Sequence, residues 1–234
     1  MYLAITNRCN MTCEHCCMAC TAKGSNMSEK HFRQALQVAR DYDEYLVLGG
    51  GEPTLHPKFE LFLILAIAES DGEDNRPTII TNGKLRARAM LIADLTQGKV
   101  LHGELSQDPY HDPIDAAVVA AFAKLNAIRD VTRGETQRPS IIAGREMLSR
   151  GLTRREAVRR YPSESCPCDE VFVRPNGKIY QCGCPDSPQI GHVETGYNSP
   201  CQGVCFRSDE YQEAKRETEN ARRREEQRQE TEAA

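Results

Sequence analysis

No surplus of charge of one sign marks this 234-residue chain: 30 Lys and Arg stand against 34 Asp and Glu, a formal net charge of -4. A protein that holds nucleic acid mainly by its phosphates carries a basic excess, so the balance argues against that mode of binding. Long apolar runs are also missing. None exceeds eight residues, as in Leu61 to Ala68, and a membrane-spanning helix needs roughly 18–20. The opening residues, MYLAITNRCN, show no basic stretch ahead of an apolar one, so no secretory signal is read and a cytoplasmic protein is expected. Finally, residues 21–165 contain no cysteine.

That last absence frames what is present. The chain has 11 cysteines, five within Cys9–Cys20 and six within Cys166–Cys205. An odd count cannot be fully paired, and a disulfide framework spreads its cysteines along the chain. Two dense clusters read instead as two metal or iron–sulfur sites.

Between the clusters the pattern alternates. Short β-prone runs lie at residues 2–6, 45–48, 77–81, 100–106, 128–132 and 140–143. Helical spacing occupies residues 27–40, 59–69, 84–95 and 114–125. Ser28 is placed to cap the first helix, Asp112-Pro113 to open the fourth, and residues 59–69 are apolar enough for a buried helix. Strands alternating with helices give βαβ units and a parallel sheet. The chain is too short for a closed eight-stranded barrel with an appendage. The expected fold is therefore α/β, a partial, open TIM-like βα barrel of five to six parallel strands with a small cysteine-rich C-terminal region.

The expected division is a core over residues 1–150, an auxiliary region over 151–207 and a charged tail over 208–234. Within the auxiliary region, Val171–Arg174, the turn Pro175-Asn176-Gly177 and Lys178–Tyr180 read as a hairpin. The tail reads as a solvated helix or a disordered segment.

Cys9, Cys13 and Cys16 have the spacing C-x3-C-x2-C. Three thiolates on one loop can wrap a four-iron cluster and leave one iron open, as catalytic sites do. A structural zinc site completed by Cys17 or Cys20 is the alternative. Gly49-Gly50-Gly51-Glu52-Pro53 follows the second β-run, Thr81-Asn82-Gly83 the third, and Ser106-Gln107-Asp108 closes the fourth. No G-x4-G-K-[ST] follows the glycines, which excludes a P-loop.

In these motifs and their order, residues 1–150 resemble the radical S-adenosylmethionine (radical SAM) enzymes. The resemblance implies a SAM-binding 4Fe-4S cluster on Cys9, Cys13 and Cys16, with SAM chelating the open iron. Reductive cleavage of SAM would give methionine and a 5'-deoxyadenosyl radical that removes a hydrogen atom from the substrate. Gly50, Gly51 and Glu52 would meet the SAM amino group and Ser106 the ribose. His15, standing where the family usually has an aromatic residue, would pack on adenine, and Arg145 would pair with the SAM carboxylate. The electron would come from a donor such as flavodoxin or ferredoxin.

Cys166-x10-Gly177-x4-Cys182 and Cys201-x3-Cys205 resemble parts of the SPASM and twitch domains that carry auxiliary clusters in this family. The additional C-x2-C-x5-C of a full SPASM set is absent, so one second auxiliary 4Fe-4S cluster is expected on Cys166, Cys182, Cys201 and Cys205. Cys168 and Cys184 are rival ligands, and a zinc ribbon is the structural alternative. The same resemblance favours a peptide or protein side chain as substrate, over a nucleoside, DNA base or other small molecule. A non-catalytic iron–sulfur or zinc protein is the reading from another class. Tyr110, His111 and Asp112 are read either as a substrate contact or as a polar turn before the fourth helix.

Overall fold

The computed structural model describes residues 1–13, 16, 18, 20–70, 72, 75–107, 111–129, 171–183, 187–199 and 209–232. Its centre is a sheet with strands β1 (Tyr2–Thr6), β2 (Val47–Gly50), β3 (Thr78–Thr81), β4 (His102–Ser106) and β5 (Ile128–Arg129). The C-terminal strands are β6 (Phe172–Val173), β7 (Lys178–Tyr180), β8 (Gln189–His192) and β9 (Gly196–Tyr197). The order is β5-β4-β3-β2-β1-β6-β7-β8-β9. Strands β5 to β6 in that order are all parallel, and β6 to β9 form an antiparallel meander. This is an open α/β sheet of the partial-barrel kind, with six parallel strands among the described residues.

Helices α1 (Glu29–Asp41), α2 (Phe59–Ala68), α3 (Arg86–Gln97) and α4 (Ala116–Lys124) connect the parallel strands. Alternation along the strands decides what each helix covers. Leu3, Ile5, Leu48, Ile79, Leu105 and Val173 point to the helices and join the main core. Each large side chain buried there contributes about 1.5–3 kcal/mol. Phe32 of α1 and Phe62 of α2 stack at 3.9 Å and lock the first two helices together. The opposite face carries Tyr2, Ala4, Val47 and Phe172, with Ile80 and Tyr180 packed against them.

Ser28 caps α1 as expected, its hydroxyl accepting from the His31 amide at 3.1 Å. Helix α4 begins later than Asp112-Pro113 suggests. Its cap is Asp115, which accepts from the Ala117 amide at 2.8 Å, while Asp112 pairs with Lys84 at 3.4 Å. Helix α2 is buried on one face only, through Phe59, Phe62, Leu63 and Ala66, and Ile64 is 64% exposed. An apolar run without periodicity says nothing about which face turns outward.

The hairpin expected at residues 171–180 is present as β6 and β7. Its first arm pairs with β1 and so removes the open edge that β1 would otherwise present. The strand expected at residues 140–143 lies outside the described residues. The far end of the meander is tied to the C-terminus of α1. Tyr42 stacks on Tyr197 at 4.2 Å, and its hydroxyl donates to the Tyr197 carbonyl at 2.7 Å. The tail contains helix α5 (Asp209–Glu232). No helix among the described residues is long and apolar enough to cross a membrane.

Candidate SAM and cluster site

Parallel pairing puts the C-terminal ends of β1 to β4 along one rim, where ligands of open α/β sheets bind. Four sequence motifs fall there. The cysteine loop follows β1, the glycine turn closes β2, Thr81-Asn82-Gly83 closes β3, and Ser106 ends β4.

The glycine turn lies directly against the cysteine loop. The β1–β2 pairing runs on past both strands: the Gly51 amide donates to Thr6 O and the Glu52 amide to Arg8 O, each at 2.8 Å. Glycine is needed for this approach. A Cβ on Gly51 would overlap the Arg8 carbonyl and sit 3.1 Å from Cβ of Cys20. Gly50 also has φ +134, a backbone region that only glycine adopts readily. The Gly50 amide donates to the Tyr2 hydroxyl at 3.0 Å, and Tyr2 stacks on Phe172 at 5.0 Å. Tyr2 therefore links the meander to the glycine turn. Nothing in the sequence marks it, because an aromatic residue in a first strand reads as ordinary core.

Glu52 lies at the expected turn, but its carboxylate faces inward with no exposed surface. One oxygen accepts from the amide and the hydroxyl of Thr54 and from the Thr81 hydroxyl at 2.7 Å. The other accepts from the Asn82 amide at 2.7 Å. Burial pushes its carboxyl above the ordinary value, and these hydrogen bonds oppose that rise. Glu52 thus joins the glycine turn to the Thr81-Asn82-Gly83 turn. In the second turn, Gly83 has φ +72, and a Cβ there would press on Leu105, Ile114 and Val118.

The cysteine loop carries thiols at Cys9, Cys13, Cys16 and Cys20, all half-buried. Cys9 Sγ accepts from the Met11 amide at 3.4 Å and from the Asn82 side-chain amide at 3.7 Å. The Cys16 amide donates to Cys13 O at 3.0 Å, which rounds the loop into a turn. Burial pushes the Cys9 thiol up, the Met11 amide opposes this, and the charges of Glu52 and Cys16 add to the rise. Ligation by a metal must then displace a proton.

The donor set fits a cluster: a four-iron cluster takes its thiolates on separate irons, and Cys9, Cys13, Cys16 and Cys20 carry half-buried thiols around one loop.

Ser106 is half-buried at the end of β4, on the sheet face opposite Leu105. His15 and Arg145 lie outside the described residues, as do Cys166, Cys168, Cys184, Cys201, Cys205 and Tyr110. Cys182 is described: it follows β7, is fully buried, and its amide donates to the Ser187 hydroxyl at 3.0 Å.

A cysteine loop beside a glycine turn at the C-terminal rim of parallel strands makes this an open α/β protein with its ligand site at that rim. The Radical SAM superfamily model matches residues 3–129, more than half of the chain. The chain belongs to the radical SAM superfamily and is a radical SAM enzyme, a membership that implies a 4Fe-4S cluster and SAM. No curated protein is significantly similar in sequence. Among solved structures, BtrN in complex with AdoMet and 2-DOIA aligns with a TM-score of 0.56 at 14% identity, over 91% of this chain and 83% of that chain. Hexahistidine-tagged anSMEcpe with bound AdoMet aligns with a TM-score of 0.51 at 14% identity, over 91% of this chain and 82% of that chain. At such identity these likenesses bear on the fold.

Proposed function

We propose that Cys9, Cys13 and Cys16 hold the SAM-binding 4Fe-4S cluster and that the enzyme modifies or rearranges a peptide or protein side chain. The observation that carries the first half is the meeting of the cysteine loop, the glycine turn and Asn82 at one rim. When bound, the cluster supplies the electron that cleaves SAM to methionine and a 5'-deoxyadenosyl radical.

The chain's own residues position SAM. The amides of Gly50, Gly51 and Glu52 are committed to Tyr2, Thr6 and Arg8, so the turn offers carbonyl oxygens to the SAM ammonium. Glu52 acts by holding that turn, through the donors it accepts from the next one. Ser106 meets the ribose hydroxyls, His15 the adenine and Arg145 the SAM carboxylate. A flavodoxin or ferredoxin supplies the electron.

The peptide reading rests on the C-terminal cysteines and their SPASM- and twitch-like spacing. Four of them, Cys166, Cys182, Cys201 and Cys205, hold a second cluster in this proposal. The buried position of Cys182 beside the meander supports it, since cluster ligands sit shielded from solvent.

The test is anaerobic reconstitution followed by SAM and dithionite. Wild-type protein releases 5'-deoxyadenosine and Cys13→Ala releases none. Peptides from cells grown on deuterated amino acids then pass deuterium into 5'-deoxyadenosine. Transfer from deuterated nucleosides instead would place the substrate in that class and overturn the peptide reading.

A further inference from the structure

Asn82 is held at its backbone amide and at both ends of its side chain. Its backbone amide is taken by Glu52, and its side-chain oxygen accepts from the Lys84 amide at 3.1 Å. Its side-chain nitrogen donates to Oδ1 of Asn10 at 2.9 Å and to Cys9 Sγ at 3.7 Å. A primary amide has two N–H donors, enough to serve both partners. The amide cannot be turned over, because its oxygen faces an N–H and its nitrogen faces an oxygen and a sulfur. The residue is 6% exposed, and its side-chain nitrogen contacts are part-buried.

Closing the turn needs only the side-chain oxygen, and a serine or aspartate can provide that. The N–H directed at sulfur is therefore a feature the turn does not require. Hydrogen bonds to ligand sulfurs are among the determinants of iron–sulfur potentials. Reduction adds negative charge to the cluster and its thiolates. An N–H donor stabilises the reduced form more than the oxidised one, and so raises the potential.

We propose that Asn82 is a positioning residue that raises the reduction potential of the SAM-binding cluster through its N–H to Cys9 Sγ. The inference rests on the reading of Cys9 as a ligand and extends it to the third turn of the rim.

The experiment is a potentiometric titration of the anaerobically reconstituted full-length protein, followed by electron paramagnetic resonance. The signal to follow is the one missing from Cys9→Ala. Asn82→Ala and Asn82→Ser should both retain the wild-type iron content and titrate at a lower potential. Serine still caps the turn but is too short to reach the sulfur. Asn10→Ala removes only the other acceptor and should leave the potential unchanged. Thermal melting by circular dichroism checks the fold of each variant.

Three outcomes overturn the proposal: an unchanged potential in both Asn82 variants, loss of the cluster in both, or an equal shift in Asn10→Ala. Persistence of the signal in Cys9→Ala overturns the ligand reading, and this inference with it. The two failures are thus told apart by different variants.

Discussion

The backbone amide of Asn82 donates a 2.7 Å hydrogen bond to the Glu52 carboxylate, which has no exposed surface. The turn after β3 is thereby pinned to the turn after β2. Glu52→Gln should destabilise the fold although it preserves volume. The carboxylate accepts on both oxygens from Thr54, Thr81 and Asn82, whereas a glutamine nitrogen only donates. At least one buried donor is left facing another, at a cost of about 1–3 kcal/mol per unsatisfied group. Urea unfolding should show a lower midpoint with an unchanged slope. A midpoint equal to wild type would mean that the carboxylate does not hold the two turns together.

Those turns were legible in the sequence because backbone demands select residues strictly. Gly50 needs a positive φ, and Gly51 needs the space beside Arg8. The cysteine loop was legible because thiol spacing is read directly along the chain. The pairing of β6 with β1 was not, since Phe172 and Val173 carry no mark of a partner 170 positions away. Nor was the inward aim of Glu52: the GGGEP motif gives the residue but not the direction of its side chain. The Asn82 contact with Cys9 joins two motifs that local patterns treat separately.

His56 makes stability depend on acid. It is nearly fully buried, its Nε2 faces Met27 O at 3.0 Å, and its Nδ1 accepts from the Lys58 amide at 3.0 Å. Only the neutral ring, with its proton on Nε2, satisfies both partners. Burial lowers its proton affinity below the ordinary 6.5, opposed by Met27 O and assisted by the charges of Lys58 and Arg88. The unfolded chain therefore binds the proton more readily than the folded one. This contribution to stability is fully present above pH 6.5 and is lost as pH falls through the lower folded value. Melting temperatures should decline from about pH 6.5 downward, and His56→Gln should flatten that decline. An equal slope in the variant would assign the effect to other groups.

Gly51→Ala tests the contact between the glycine turn and the cysteine loop. Its new Cβ would overlap the Arg8 carbonyl, which is backbone and cannot swing aside, and it would crowd Cys20. Overpacking of this kind costs about 1–3 kcal/mol, and the displacement falls on the segment leading into Cys9. Iron content after reconstitution should fall together with the melting temperature. Full iron content and an unchanged melt would show that the loop is free to move away from the turn.

The second cluster is tested by counting iron. Two four-iron clusters give about eight irons per chain and one gives about four. Cys182 is fully buried after β7, the shielded position proposed for a ligand of that cluster. Cys182→Ser replaces the thiolate with a hydroxyl, a poor ligand for iron, at nearly constant volume. The content should fall from about eight to about four irons, while SAM cleavage at the Cys9, Cys13 and Cys16 site is examined separately. About four irons in both proteins would leave the chain with the SAM-binding cluster alone. Bound zinc in wild-type protein, lost with Cys182→Ser, would instead make the C-terminal cysteines a structural zinc site.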